Sequence, residues 1–233
     1  MHIIQPLHKN NLNPFYLLQT GRIKSTGLFI EPFMKAIIFN CTLKPSPIAS
    51  NTEALASEVI KELERLGVET KLIRMIDHDI KPGSKSDMGN GDAWPEILKE
   101  LLDSDILIMA SPTWVGQMSS IAMRVLERMN GLYPVKDEKG IPVTFNKVAG
   151  FVVTGEEDGA RHVVSEMAGG LMDVGFTIAP QCYTYWNNGP GPGTSYLKTN
   201  FRKDWSIETA KAVANNVVAV SKALKAMPIS YSI

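Results

Sequence analysis

Cysteine is scarce in this chain, with only Cys41 and Cys182 among 233 residues. Two so far apart form no ligand motif and are too few for a disulfide framework or a cysteine-ligated cluster, so a reducing, cytoplasmic setting is expected. Net charge is also missing. Twenty-four Lys and Arg cancel 24 Asp and Glu, and without a long basic run there is no electrostatic case for nucleic acid or an anionic membrane as partner. The longest apolar runs are strand-sized, which leaves no transmembrane helix. No G-x-x-x-x-G-K-[ST] is present, against a P-loop nucleotide hydrolase, and no G-x-G-x-x-G follows the first strand, against the dinucleotide fingerprint. Repeats and low-complexity tracts are absent too.

What is there is alternation. Residues 1–33 have no assignable period, carry Asn10, Asn11 and Asn13, and read as an N-terminal extension, either a disordered arm or a start-site artefact. From Met34 the pattern becomes regular. Ala36 to Phe39 is short and apolar, as a buried parallel strand should be. Leu55, Val59, Ile60, Leu63 and Leu66 then recur at helical spacing and stop at Gly67. Further strands are expected at Thr70–Ile76, Asp105–Ala110, Val148–Val153 and Phe176–Ala179. Helices are expected from Asp92 to Leu102, with Pro95 in the first turn, after Ser120, after Ala160, and from Ile207 to Met227. The segment from Gln181 to Gly193, rich in aromatic residues and then in glycine and proline, reads as irregular. Short strand-to-helix connections with right-handed crossovers give a three-layer α/β sandwich over residues 34–233, built on a five-stranded parallel sheet.

The connection between the first strand and helix is the most informative stretch. Ser50, Asn51 and Thr52 are capping residues, and the helix they open presents free N–H groups and a positive dipole end. Thr42, Ser46 and Lys44 add hydroxyls and a cation, so a phosphate monoester is the preferred guest. Taken alone, the same loop is also what a well-capped connection would look like.

Two other loops are unusual: Ser111-Pro112-Thr113-Trp114-Val115-Gly116-Gln117-Met118 and Thr154-Gly155-Glu156-Glu157-Asp158-Gly159-Ala160. In a doubly wound sheet all three open at the carboxyl edge, where ligands bind. A ligand with a phosphate at one end and a flat aromatic ring at the other would suit them. Each residue keeps a plainer alternative. Trp114 could be a packing residue, Lys44 a solvated lysine, and Cys41 a buried filler or a thiol with lowered pKa. Tyr183, Tyr185 and Trp186 are cover for a ligand or core; His162 fits surface or capping duty better than hydride chemistry.

In these loops the chain resembles the flavodoxin-like NAD(P)H-dependent FMN reductase family, which includes quinone reductases and iron–sulfur flavoproteins. Thr42-Leu43-Lys44 with Ser50-Asn51-Thr52 stands where that family has its phosphate loop. Pro112 to Met118 corresponds to the segment beside the isoalloxazine, and Thr154-Gly155 through Asp158, Gly159 and Ala160 to the third flavin loop. Asn40-Cys41 stands where the family usually has glycine. Iron–sulfur members carry cysteines after the second strand, where Lys81–Asp92 has none, so no iron–sulfur cluster is expected. The resemblance implies strand order 2-1-3-4-5, FMN as cofactor, NADPH or NADH as co-substrate, a small-molecule electron acceptor, and a homodimer or homotetramer. It implies no catalytic side chain, because FMN carries the hydride chemistry. A flavodoxin-type electron carrier shares the fold and cofactor and is the alternative reading; such carriers are acidic, whereas this chain is neutral.

Overall fold

The structure is a computed structural model that describes residues 33–191, 193–199 and 205–230. Except for Phe33, the extension expected over 1–33 lies outside the described residues. The described elements in chain order are β1 (Met34–Asn40), α1 (Asn51–Arg65), β2 (Val68–Arg74), α2 (Trp94–Leu102), β3 (Ile106–Trp114), β4 (Gln117–Met118), α3 (Ser120–Met129), β5 (Val148–Gly155), α4 (Ala160–Asp173), β6 (Thr177–Asn187) and α5 (Trp205–Ala226).

The sheet runs β2-β1-β3-β5-β6, with the two-residue β4 paired to β3 off that path. The main strands are parallel, so the expected order 2-1-3-4-5 holds once β4 is set aside. Helices α1 and α5 pack together on one face, and α3 and α4 on the other. Right-handed crossovers put α2 with α3, its Trp94 edge-on to Phe39. Strand position accounts for the sequence pattern. Central β5 is buried at every residue, whereas edge strand β2 alternates.

Several boundaries move for physical reasons. β2 ends at Arg74, and Met75–Asp77 is a short 3-10 turn. β3 continues through Ser111 and Pro112, which pair with Val153 and Thr154 of β5, to Thr113 and Trp114, which form a hairpin with β4. The segment expected to be irregular from Gln181 is regular as far as Asn187, and the strand expected to end at Ala179 is one long β6. A bulge explains that error. Ala149 pairs with Ile178 and Phe151 with Tyr183, so Ala179–Cys182 stand opposite Gly150 alone. Pro180 and Gln181, at φ +47°, occupy the bulge, where a proline and a left-handed residue are tolerated inside a strand.

Away from the carboxyl edge, a buried ion pair ties the 81–92 loop to α3. The Arg128 and Asp92 side chains are both fully buried, with Nη2 to Oδ2 at 2.6 Å. Arg128 also donates to the carbonyls of Lys81 and Lys85 and lies over the Trp94 ring. Burial by itself would raise the Asp92 pKa, but hydrogen bonds from Arg128 and from the N–H groups of Met88, Trp94 and Lys81 outweigh it and hold the carboxyl well below its usual range.

Candidate functional site

The end of β1 and the start of α1 enclose a loop braced from behind. Ser50 is the N-cap of α1, its Oγ accepting the N–H of Glu53 at 3.1 Å. The Glu53 carboxylate accepts from Asn40 Nδ2 at 2.8 Å and from Arg74 Nε and Nη2 at 3.0 and 2.6 Å. Arg74 also donates to the carbonyls of Ile48 and Lys44, while Asn40 Oδ1 receives the N–H of Thr42. The Asn40 side chain thus stitches strand, loop and helix together. Ser46 is held from below by Asp77. Because the cap serves Glu53, the N–H groups of Asn51 and Thr52 have no intrahelical acceptor and point out of the helix end.

The second loop is a tight hairpin. Thr113 pairs with Met118 and Trp114 with Gln117, leaving Val115 and Gly116 as the two turn residues, at φ +53° and +72°. Two left-handed residues fit a type I′ turn, whose twist matches the flanking strands. A β-branched residue is rare in that region, so Val115 is strained. Ser111 and Ser119 frame the hairpin: Ser111 Oγ accepts the Ser119 N–H, and Ser119 Oγ donates to the Cys41 carbonyl while capping α3.

The third loop supports the hairpin tip. Gly116 N–H donates to Glu157 Oε1 at 3.2 Å. Gly159, at φ +108°, lies so close that a Cβ there would be 2.9 Å from Gly116 Cα. Thr154 Oγ1 is 2.8 Å from Thr52 Oγ1, which joins the first and third loops.

A cavity of about 310 Å³ opens where the three loops meet. Of the residues expected at a site, Thr42, Lys44, Asn51, Thr52, Pro112, Thr113, Trp114, Val115, Thr154 and Gly155 line it. Leu43, Glu156, Glu157 and Trp186 line it as well. Trp186 belongs to the aromatic run of β6 and packs edge-on against Tyr196. The rest stand behind the wall. Ser50 caps α1, Met118 is buried, and Gly116 and Gly159 make the loop-to-loop contact. Gln117 pairs with the exposed His162, Asp158 is exposed, and Ala160 is the first residue of α4. His162 also lies 3.4 Å from Glu166, a surface arrangement. Cys41 is fully buried and burial pushes its thiol far up, so it is a filler and not a thiolate.

A family model described as NADPH-dependent FMN reductase matches residues 34–191. The chain belongs to that family. It is 34% identical over 175 residues to 8-demethyl-8-aminoriboflavin-5′-phosphate synthase of Streptomyces davaonensis, covering 71% of this chain and 68% of the synthase. It is also 34% identical over 168 residues to the divalent metal cation transporter MntH of Mycobacterium bovis, covering 70% of this chain. The match spans only 25% of that transporter. Among solved structures, RosB with bound 8-demethyl-8-formylriboflavin-5′-phosphate superposes with a TM-score of 0.78 at 29% identity, over 84% of this chain and 82% of RosB. Membership makes the chain flavodoxin-like and of the flavin-dependent oxidoreductase class. No helix among the described residues is long and apolar enough to cross a membrane.

The cavity fits a flavin mononucleotide on its own terms. One end is a helix N-terminus with hydroxyls and Lys44; the other has two indoles, one of them, Trp114, half exposed. Gly155 keeps the wall thin between them, since a Cβ there would meet Glu157 O at 2.7 Å and Thr113 Cβ at 3.1 Å.

Proposed function

We propose that this chain holds FMN in the cavity and passes hydride from NADPH or NADH to a quinone, a free flavin or another small acceptor. The observation that carries this reading is the meeting of the α1 N-terminus, the Trp114 hairpin and the 154–160 loop around one cavity. FMN, when bound, supplies the hydride-accepting and electron-releasing chemistry. The residues of the chain bind, orient and shield.

Thr42, Lys44, Asn51 and Thr52, with the free N–H groups of α1, would hold the phosphate by charge-assisted hydrogen bonds. Trp114 would stack on the ring, and Trp186 would close the space beside it. Glu156 and Glu157 also face the cavity, so stabilisation of negative charge at the ring falls to backbone N–H groups between Gly155 and Ala160 and not to a side-chain cation. A homodimer or homotetramer in the cytoplasm belongs to the same proposal; the two buried, unpaired cysteines suit a reducing compartment.

A second reading is supported by the likeness to the Streptomyces davaonensis synthase: FMN itself would be the substrate, altered at its C8 position. One preparation separates the readings. The purified protein is supplied with FMN and treated anaerobically with NADPH, then NADH, then a quinone. Flavin absorbance that bleaches with a nucleotide and returns with the quinone supports the reductase. Bound flavin that neither nucleotide reduces overturns it in favour of a carrier, and recovered flavin of changed mass overturns it in favour of the modifying enzyme.

A further inference from the structure

The helix end that suits an anion has a carboxylate built into it. Glu53, the third residue of α1, directly follows Asn51 and Thr52, which line the cavity, and its side chain is only 33% exposed. A negative charge in the first turn favours the helix dipole, but it opposes a second negative charge at the same helix end. The loop also carries carbonyl oxygens, and any that faced an anion would repel it.

Arg74, at the far end of β2 and opposite Asn40 in the sheet register, answers both conflicts. Its side chain, 10% exposed, sets Nε and Nη2 on Glu53 Oε2, the oxygen that also accepts from Asn40 Nδ2. Its Nη1 draws back the carbonyls of Ile48 at 2.8 Å and Lys44 at 3.3 Å. Neither Glu53 nor Arg74 lines the cavity. The other acid behind the loop, Asp77, holds Ser46 and is exposed, so water screens its charge. We propose that Arg74 is a positioning residue that makes the 42–52 loop select a phosphorylated flavin over an unphosphorylated one. It does not touch the phosphate; it neutralises Glu53 and keeps the Lys44 and Ile48 carbonyls at the back of the loop. A lysine would supply the charge without the fork that reaches carboxylate and carbonyls together. This rests on the cavity being a flavin site with the phosphate at α1.

The test is Arg74→Met in the full chain, alone and combined with Glu53→Gln. FMN and riboflavin affinities are read by flavin fluorescence, and the fold by the urea midpoint of the flavin-free protein. Arg74→Met leaves the Glu53 charge unpaired beside the phosphate, so FMN affinity should fall roughly 10- to 30-fold while riboflavin affinity changes by less than about twofold. Adding Glu53→Gln removes the stranded charge and should recover roughly three- to fivefold, the remainder belonging to the freed carbonyls. Arg74→Lys should lose roughly three- to fivefold, for FMN alone. An ion pair that served only the fold would lower the urea midpoint and leave the ratio of FMN to riboflavin affinity unchanged in every variant, and that result overturns the proposal. So does a double variant that binds FMN no better than Arg74→Met, because the Glu53 charge would then play no part. If Arg74→Met does not fold, Arg74→Lys decides by the same ratio. An unaltered protein that binds neither flavin overturns the flavin reading, one that binds both equally overturns the phosphate placement, and either takes this inference with it.

Discussion

The two ends of the cavity are built on opposite principles. At the phosphate end nearly every polar group has a partner before any ligand arrives: Arg74, Glu53 and Asn40 form one network, Asp77 holds Ser46, and Ser50 caps the helix. What is left over there is backbone N–H and the Lys44 ammonium, which a phosphate can use without rearranging the loop. At the ring end the hairpin carries a strained Val115, a half-exposed Trp114 and an unpartnered Thr113 hydroxyl. A charged guest requires donors fixed in advance, because reorganising them would forfeit the electrostatic gain. A flat ring binds mainly by covering apolar surface, so its end can remain under-satisfied until filled.

The largest expected effect lies outside both ends and so serves as the control for them. Arg128→Met should destabilise the fold by about 3–5 kcal/mol by leaving Asp92 buried and unpaired, seen as a lower urea midpoint. Flavin affinity of the folded fraction should stay near that of the unaltered protein. The same pair predicts acid sensitivity. The folded pKa of Asp92 is depressed, so its contribution is fully present above the unfolded value of about 3.9 and is lost as pH falls through the folded value. Unfolding curves of the unaltered protein should therefore lose stability over that range, and those of Asp92→Asn should lose less.

Next in size is the phosphate end. Ser50→Ala with Thr52→Ala should weaken FMN by roughly 30- to 100-fold, as charge-assisted bonds and the cap are lost together, and riboflavin by much less. Trp114→Ala should weaken FMN and riboflavin alike by about tenfold, as stacking area is removed without touching the charge. Equal affinity in these variants and the unaltered protein would break the contrast between the ends. The smallest effect sharpens it: Val115→Asn gives the turn an Asn-Gly pair suited to type I′ and should add about 1 kcal/mol, read as a melting temperature about 2–4 °C higher. A fall in melting temperature would mean that Val115 is held there by contacts worth more than its strain.

Much of this was legible in the residues because it depends on local rules. The α1 stripe of Leu55, Val59 and Leu63 is buried as its spacing requires, and α1 ends against Gly67. Three loops at one sheet edge followed from the alternation of strands and helices. The brace behind the first loop was not legible. Nothing in the spacing of Asn40, Glu53 and Arg74 marks them as partners, since they come together only when β2 lies beside β1 and α1 crosses over it. The hairpin was missed because Pro112 and Gly116 look like loop residues, whereas the strand pairing of Thr113 and Trp114 between them depends on β4 folding back. The length of β6 was missed because Pro180 reads as a strand breaker, whereas a bulge opposite Gly150 absorbs it.

The sequence by itself determined the α/β alternation, the Ser50 cap of α1 and the residue types in the loops after β1, β3 and β5, because periodicity and capping act over a few residues. Only the tertiary structure decided which of those residues face the cavity and which brace it from behind, and left the Thr113 hydroxyl without a partner. Those outcomes depend on side chains from different elements competing for the same donors and acceptors, and that competition is settled only when the sheet brings them within 3 Å or so of one another.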